Sequence, residues 1–188
     1  MIIKIIPIVN IGGHYLLKYI NASNKTMKIY GEYITSVRRA LSEIDLHWEN
    51  YKGLIVAGTH NPKSLEIDLL LKEIEYARIN KIPSLFICFG HQLAAIEYAR
   101  NVLNIKDATS EEFGEGTLVV KKRPNLKVGL HDSESWWSNY DVCIDWKISE
   151  NFISVPFHPE YQSSKDKPHP VLKEFINACK KTTLKDGF

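Results

Sequence analysis

Cys88 stands two residues before Gly90, in the run Leu85-Phe86-Ile87-Cys88-Phe89-Gly90-His91-Gln92. A short apolar, β-prone run leads into it, and a segment rich in helix formers, Leu93 to Arg100, follows. A strand that turns sharply into a helix holds the residue at the turn exposed at the helix N-terminus. That is the nucleophile elbow, seen more often with Ser in the G-x-S-x-G pattern. A cysteine there has two sources of reactivity: the helix N-terminus favours an anion, and a nearby imidazole can take the thiol proton. Gly90 lets the turn close without a Cβ clash. The competing reading is a core thiol at a strand end, because free cysteine is among the most buried residue types. This stretch by itself leans slightly to the core thiol.

The second signal is Phe157-His158-Pro159-Glu160, after a strand candidate. Pro159 keeps His158 extended, so His158 and Glu160 can point the same way. A carboxylate beside an imidazole fixes its tautomer and stabilises its charged form, which a cysteine attacking a carbonyl requires of its base. A solvated His-Pro-Glu loop is the ordinary alternative. An elbow cysteine together with His-x-Glu at a later strand end is far more specific than either alone.

These residues need elements to position them. Ile2 to Val9 is a continuous apolar run, expected as a strand buried on both faces, and Gly12 and Gly13 end it. Residues 14–31 read as loops with short ordered pieces. Glu32 to Ile44 carries apolar residues at helical spacing (Tyr33, Val37, Ala40, Leu41, Ile44). Gly53 to Gly58 is a second buried strand, Thr59-His60-Asn61-Pro62 a turn, and Ser64 to Asn80 an amphipathic helix. After the elbow, Lys106 to Gly116 reads as irregular. Thr117–Lys121, Val128–Leu130, Val142–Trp146 and Phe152–Phe157 are strand candidates. Val171 to Lys180 reads as a final helix, with a frayed polar tail of eight residues beyond it. Strands alternating with helices predict a three-layer α/β/α fold with a mainly parallel, flavodoxin-like sheet and an antiparallel extension. Its site belongs at the carboxyl ends of the strands, where Cys88, the Gly58-Thr59 turn and the residues after Phe157 all fall.

The chain has 188 residues, expected as one domain, 1–188, with no linker or repeat. Its net charge of +2 points to neither a nucleic-acid nor a membrane partner. Three cysteines at irregular spacing form neither a disulfide framework nor a zinc pattern. A metal site from His131, Asp132 and Cys143 fits no ligand spacing, so neither a metal nor a cofactor is expected. The apolar start is broken by Lys4 and Pro7 and lacks a cleavage site, and no segment is long enough to span a bilayer. A cytoplasmic location, where thiols stay reduced, is the expectation. Nothing in the sequence sets the oligomeric state.

Cys-Phe-Gly-His-Gln and Phe-His-Pro-Glu resemble the two signature motifs of class I glutamine amidotransferases, which release ammonia from glutamine. The resemblance runs from about residue 33 to about residue 178 and is nearest to the glutaminase domain of CTP synthase. Glu97 to Phe113 is similar to the stretch after that enzyme's catalytic helix, and His158-Pro159-Glu160-Tyr161-Gln162-Ser163 with Pro168-His169-Pro170 to its C-terminal signature. It implies that Cys88 attacks the side-chain amide carbon of glutamine, His158 moves the proton, and Glu160 orients His158. It also implies oxyanion donors at Phe89 and the Gly58-Thr59 turn, and glutamine contacts from Gln92 and Glu112. Without the resemblance, Glu112 reads as an exposed loop acid beside Glu111 and Glu115.

The sequence departs from the family in three places. Thr59 stands where the family has consecutive glycines, and a β-branched residue at positive φ would be strained, so a misaimed oxyanion hole is expected. The arginine-containing motif before the His-Pro-Glu strand is missing; His131 to Ser133 is the candidate replacement, with His131 and Ser133 contacting the glutamine carboxylate. No synthetase domain or phosphate-binding loop is present in the sequence. The leading reading is a stand-alone glutaminase, acting on glutamine and supplying ammonia to a separate synthetase in pyrimidine biosynthesis. The alternatives are a non-catalytic binding or regulatory module and a cysteine hydrolase acting on another γ-glutamyl amide.

Overall fold

The structure is a computed structural model, and it describes residues 27–30, 33–59, 67–112, 114–122, 140–146 and 151–185. Four strands form a wholly parallel sheet in the order β1-β2-β3-β7. They are β1 (Met27–Tyr30), β2 (Gly53–Val56), β3 (Ser84–Ile87) and β7 (Phe152–Val155). A three-stranded sheet of β4 (Ala108–Ser110), β5 (Thr117–Lys122) and β6 (Tyr140–Val142) stands beside it. There β4 pairs parallel with β5, and β5 antiparallel with β6.

The helices are α1 (Ile34–Ile44), α2 (Ile67–Ile79), α3 (Phe89–Asn101) and α4 (Pro170–Lys185). Alternation along the central strands sorts them into two layers. Leu54, Val56 and Phe86 pack with α2, α3 and the second sheet. Ile55, Ala57, Leu85 and Ile87 turn the other way, onto α1 and α4. A parallel sheet covered on both faces needs strands apolar on both sides, which is why Leu54-Ile55-Val56 of β2 and Leu85-Phe86-Ile87 of β3 read as unbroken apolar runs. Each fully buried side chain such as Phe86 or Phe175 contributes roughly 1.5–3 kcal/mol.

α3 differs from the other helices because sheet residues meet it from both sides. Its residues from Leu93 to Glu97 are all buried. Ala94, Ala95 and Ala99 keep its girth small enough to fit between the sheets. Glu97, only 1% exposed, is acceptable there because Arg78 of α2 grips both its oxygens at 2.7–3.0 Å and Asn101 adds a third donor at 3.1 Å.

Several expectations change. Met27–Tyr30 is a strand within a segment read as loop; four residues carry no readable period, and pairing with β2 makes the strand. β4 likewise lies inside a polar stretch read as irregular, and pairing with β5 supplies its order. The strand expected over Val142–Trp146 lies at Tyr140–Val142. α4 continues through Lys185, so the tail is helical beyond Lys180. The expected strands Ile2–Val9 and Val128–Leu130 lie outside the described residues. Among the described residues, no helix is long and apolar enough to cross a membrane.

Candidate active site

The parallel register brings three strand ends together. Val56 pairs with Phe86, and Ile87 with Val155. Cys88 follows β3 directly, and its N–H donates to the Val155 carbonyl at 2.9 Å. The Ala57-Gly58-Thr59 turn leaves β2 on one side of it, and His158 and Glu160 leave β7 on the other.

Cys88 caps α3 with φ 52° and ψ −103°, a conformation that side chains rarely adopt. Holding a non-glycine residue there costs about 1–3 kcal/mol. The elbow therefore exists as expected. The glycine two residues on is required by contact: a Cβ on Gly90 would lie 1.9 Å from the Val56 carbonyl oxygen. Gly90 lets the first turn of α3 sit directly on the backbone of β2.

His158 is 7% exposed and Glu160 fully buried. The His158 Nδ1 and Glu160 Oε1 atoms are 2.8 Å apart, and His158 also hydrogen-bonds Cys88. Burial alone would lower the imidazole pKa, but the hydrogen bonds to Cys88 and Glu160 and their negative charge outweigh it, raising it from 6.5 to about 9. The ring is thus charged at neutral pH, with a carboxylate on Nδ1 fixing its orientation. The edge of Tyr33 faces it at 5.1 Å between centroids, and Tyr161 lies at 5.6 Å. A thiol at a helix N-terminus, an imidazole and a carboxylate in hydrogen-bonded series can attack a carbonyl carbon and pass a proton to a leaving group.

Gly58 and Thr59 are placed beside this triad. A Cβ on Gly58 would come within 2.6 Å of His158 Cε1 and 3.2 Å of Tyr33 Cδ2. The strain expected at Thr59 is not there. Among the described residues, positive φ outside glycine occurs only at Lys81, Cys88 and Asn104. The requirement for glycine at Gly58 comes from the imidazole packed against it. Phe89, the first residue of α3, is 1% exposed.

Gln92 lies one turn beyond Cys88 and is joined to Glu112. Its Nε2 donates to Glu112 Oε2 at 2.6 Å, while Ser110 Oγ donates to Gln92 Oε1 at 2.7 Å. His131 and Ser133 lie outside the described residues, as do Asp132 and the adjacent tryptophans; Cys143 is exposed. No cluster of three His, Cys, Asp or Glu side chains able to hold a metal ion occurs among the described residues.

Sequence reasoning missed three residues at the site. Ser110 sits in a stretch without periodicity. Arg39 reads as a surface charge on α1, yet its NH2 donates to the Glu160 carbonyl at 2.8 Å and its NH1 to Glu43 at 2.7 Å. Tyr33 reads as an apolar helix position and instead precedes α1, against His158. No local signal separates such residues from ordinary core and surface positions.

The family model for class-I glutamine amidotransferase matches residues 18–146. The CTP synthase of Pelagibacter ubique is 30% identical over 210 residues, covering 78% of this chain and 39% of that protein. The CTP synthase of Phytoplasma australiense is 30% identical over 207 residues, covering 81% of this chain and 36% of that protein. The chain thus spans little more than a third of the curated relatives it matches. A solved structure of the Trypanosoma brucei CTPS glutaminase domain with bound acivicin superimposes with a TM-score of 0.55 at 26% identity, covering 69% of this chain and 71% of that one.

Proposed function

From the premise that this chain belongs to the class-I glutamine amidotransferase family, we propose that it hydrolyses glutamine to glutamate and ammonia through Cys88, His158 and Glu160. The observation that carries this reading is the hydrogen-bonded series itself: an elbow cysteine at φ 52°, its imidazole partner, and a buried carboxylate 2.8 Å from Nδ1. Cys88 Sγ attacks the amide carbon and the C–N bond breaks. The thiol proton, held by His158, leaves with the ammonia. Water then attacks the γ-glutamyl thioester, His158 takes its proton, and the sulfur is released. The N–H groups of Phe89 and the Gly58-Thr59 turn stabilise the oxyanion; losing one such donor costs on the order of a hundredfold in rate. Gln92 and Glu112 hold the amino-acid end of the substrate. Within this reading, residues 1–188 act as one amidotransferase unit, and the ammonia passes to a separate synthetase. The CTP synthase relatives, with much more chain than this unit covers, support that second step.

A non-catalytic module drew support from the expected strain at Thr59, and the backbone does not carry that strain. The test is intact-mass spectrometry after exposure to a glutamine analogue bearing an electrophile at the amide carbon. One adduct, lost in Cys88→Ala and blocked by excess glutamine, is expected, together with loss of glutamate release in Cys88→Ala. Unchanged glutamate release by Cys88→Ala refutes the mechanism.

A further inference from the structure

We propose that Ser110 is a positioning residue for substrate recognition: it fixes the amide orientation of Gln92 and, through it, holds the Glu112 carboxylate as the acceptor for the ammonium group of an amino-acid substrate. This rests on the glutaminase reading and deepens it.

The argument is one of donors and acceptors. The Glu112 N–H donates to Ser110 Oγ at 3.2 Å, and a backbone N–H can do nothing else. Ser110 Oγ therefore accepts on that side, and its one proton goes to the Gln92 side chain at 2.7 Å. The atom receiving it must be the amide oxygen. The amide nitrogen of Gln92 then faces Glu112 Oε2 at 2.6 Å, where an ionised carboxylate can only accept. Turning the Gln92 amide over would set its oxygen against a carboxylate oxygen with no proton between them. The carboxylate end opposes the flip, so the relay has one polarity.

Its surroundings make Ser110 hard to replace. Ser110 is fully buried and Gln92 only 1% exposed, so bulk water cannot take over a lost bond. The β4–β5 register shifts between Thr109 and Ser110, the extra residue, Val119, lying on β5. The backbone there is anchored apart from the relay. The Glu111 N–H donates to the Val120 carbonyl at 3.0 Å, and the Gly114 N–H to the Ser110 carbonyl at 3.1 Å. Removing the hydroxyl therefore leaves the loop in place and frees the Gln92 amide to turn away from Glu112. A carboxylate has room for several donors, and one held by an amide N–H on the helix bearing Cys88 suits a cation bound at a set distance from the sulfur.

The experiment compares wild type, Ser110→Ala and Ser110→Thr in glutamine hydrolysis, with NMR of the Gln92 side-chain amide. Ser110→Ala is expected to raise KM about tenfold or more, with kcat within about twofold of wild type. Iodoacetamide labelling of Cys88 stays unchanged, and Ser110→Thr restores most of the KM. The wild-type Gln92 amide protons are shifted and slow to exchange, and lose both properties in Ser110→Ala. An unchanged KM in Ser110→Ala, a fall in kcat at constant KM, or a Gln92 signature identical in both proteins overturns the proposal. Wild-type protein that turns over no glutamine overturns the glutaminase reading itself, which separates the two failures.

Discussion

Replacing Gly58 with alanine probes the site through a contact. The backbone at this position lies outside the left-handed region, so alanine fits the main chain without strain. Its Cβ would sit 2.6 Å from His158 Cε1, where carbon atoms ordinarily approach to about 3.5 Å. The imidazole must retreat by about 1 Å, and little around it yields. Glu160 holds Nδ1 at 2.8 Å, and Tyr33 and Tyr161 stand at 5.1 Å and 5.6 Å between ring centroids. Misplacing a reacting group by about 1 Å costs on the order of a hundredfold in rate, about 3 kcal/mol of barrier. Overpacking costs about 1–3 kcal/mol of stability. Gly58→Ala is thus expected to fold, to melt several degrees lower, and to lose about a hundredfold in kcat measured as glutamate release at saturating glutamine. A kcat within about twofold of wild type refutes the claim that Gly58 sets the imidazole position.

Two further outcomes follow from the same surroundings. The folded state raises the His158 pKa from 6.5 to about 9, so its charged form stabilises the fold fully below about pH 6.5, and the contribution is lost as pH rises through about 9. In urea unfolding, wild type should exceed His158→Asn by up to about 3 kcal/mol near pH 6, with the gap closing near pH 9.5; a gap that widens with pH contradicts the assignment. Arg39→Met removes the donor to the Glu160 carbonyl and the longer contact to Ser163 at 3.5 Å. Because the Arg39 side chain is 47% exposed, the expected stability loss is only about 1 kcal/mol, with kcat down about fivefold and partly restored in Arg39→Lys. An unchanged kcat means that this turn is held without Arg39.

The layer order, and the juxtaposition of Cys88, His158 and Glu160, were legible because both rest on local chemistry. Leu54-Ile55-Val56 of β2 and Leu85-Phe86-Ile87 of β3 are unbroken apolar runs since helices cover both faces, and α1 shows its buried stripe at Val37, Ala40 and Leu41. The elbow is written in Cys88 and Gly90, and the base in His158-Pro159-Glu160. What stayed hidden depends on partners distant in the chain. β1 and β4 are strands because of what lies beside them. Ser110 reaches Gln92, eighteen residues earlier on α3, only once β4 is paired with β5. The requirement at Gly58 stayed hidden as well: its neighbour in space is His158, a hundred residues later, and no turn rule contains that contact.

The place of β7 carries a consequence for how the protein comes into being. The last strand among the described residues, β7, lies directly beside β3, and the Cys88 amide bonds to its Val155 carbonyl. During synthesis the elbow leaves the ribosome long before its imidazole partner exists. Pairing between segments so far apart in the chain forms slowly, because the loop between them must be closed first. The nascent chain therefore carries Cys88 without His158, and the hydrogen-bonded series forms only when β7 and α4 dock. Incomplete chains that stop short of Phe157 hold Cys88 at its turn with neither His158 nor Glu160 beside it.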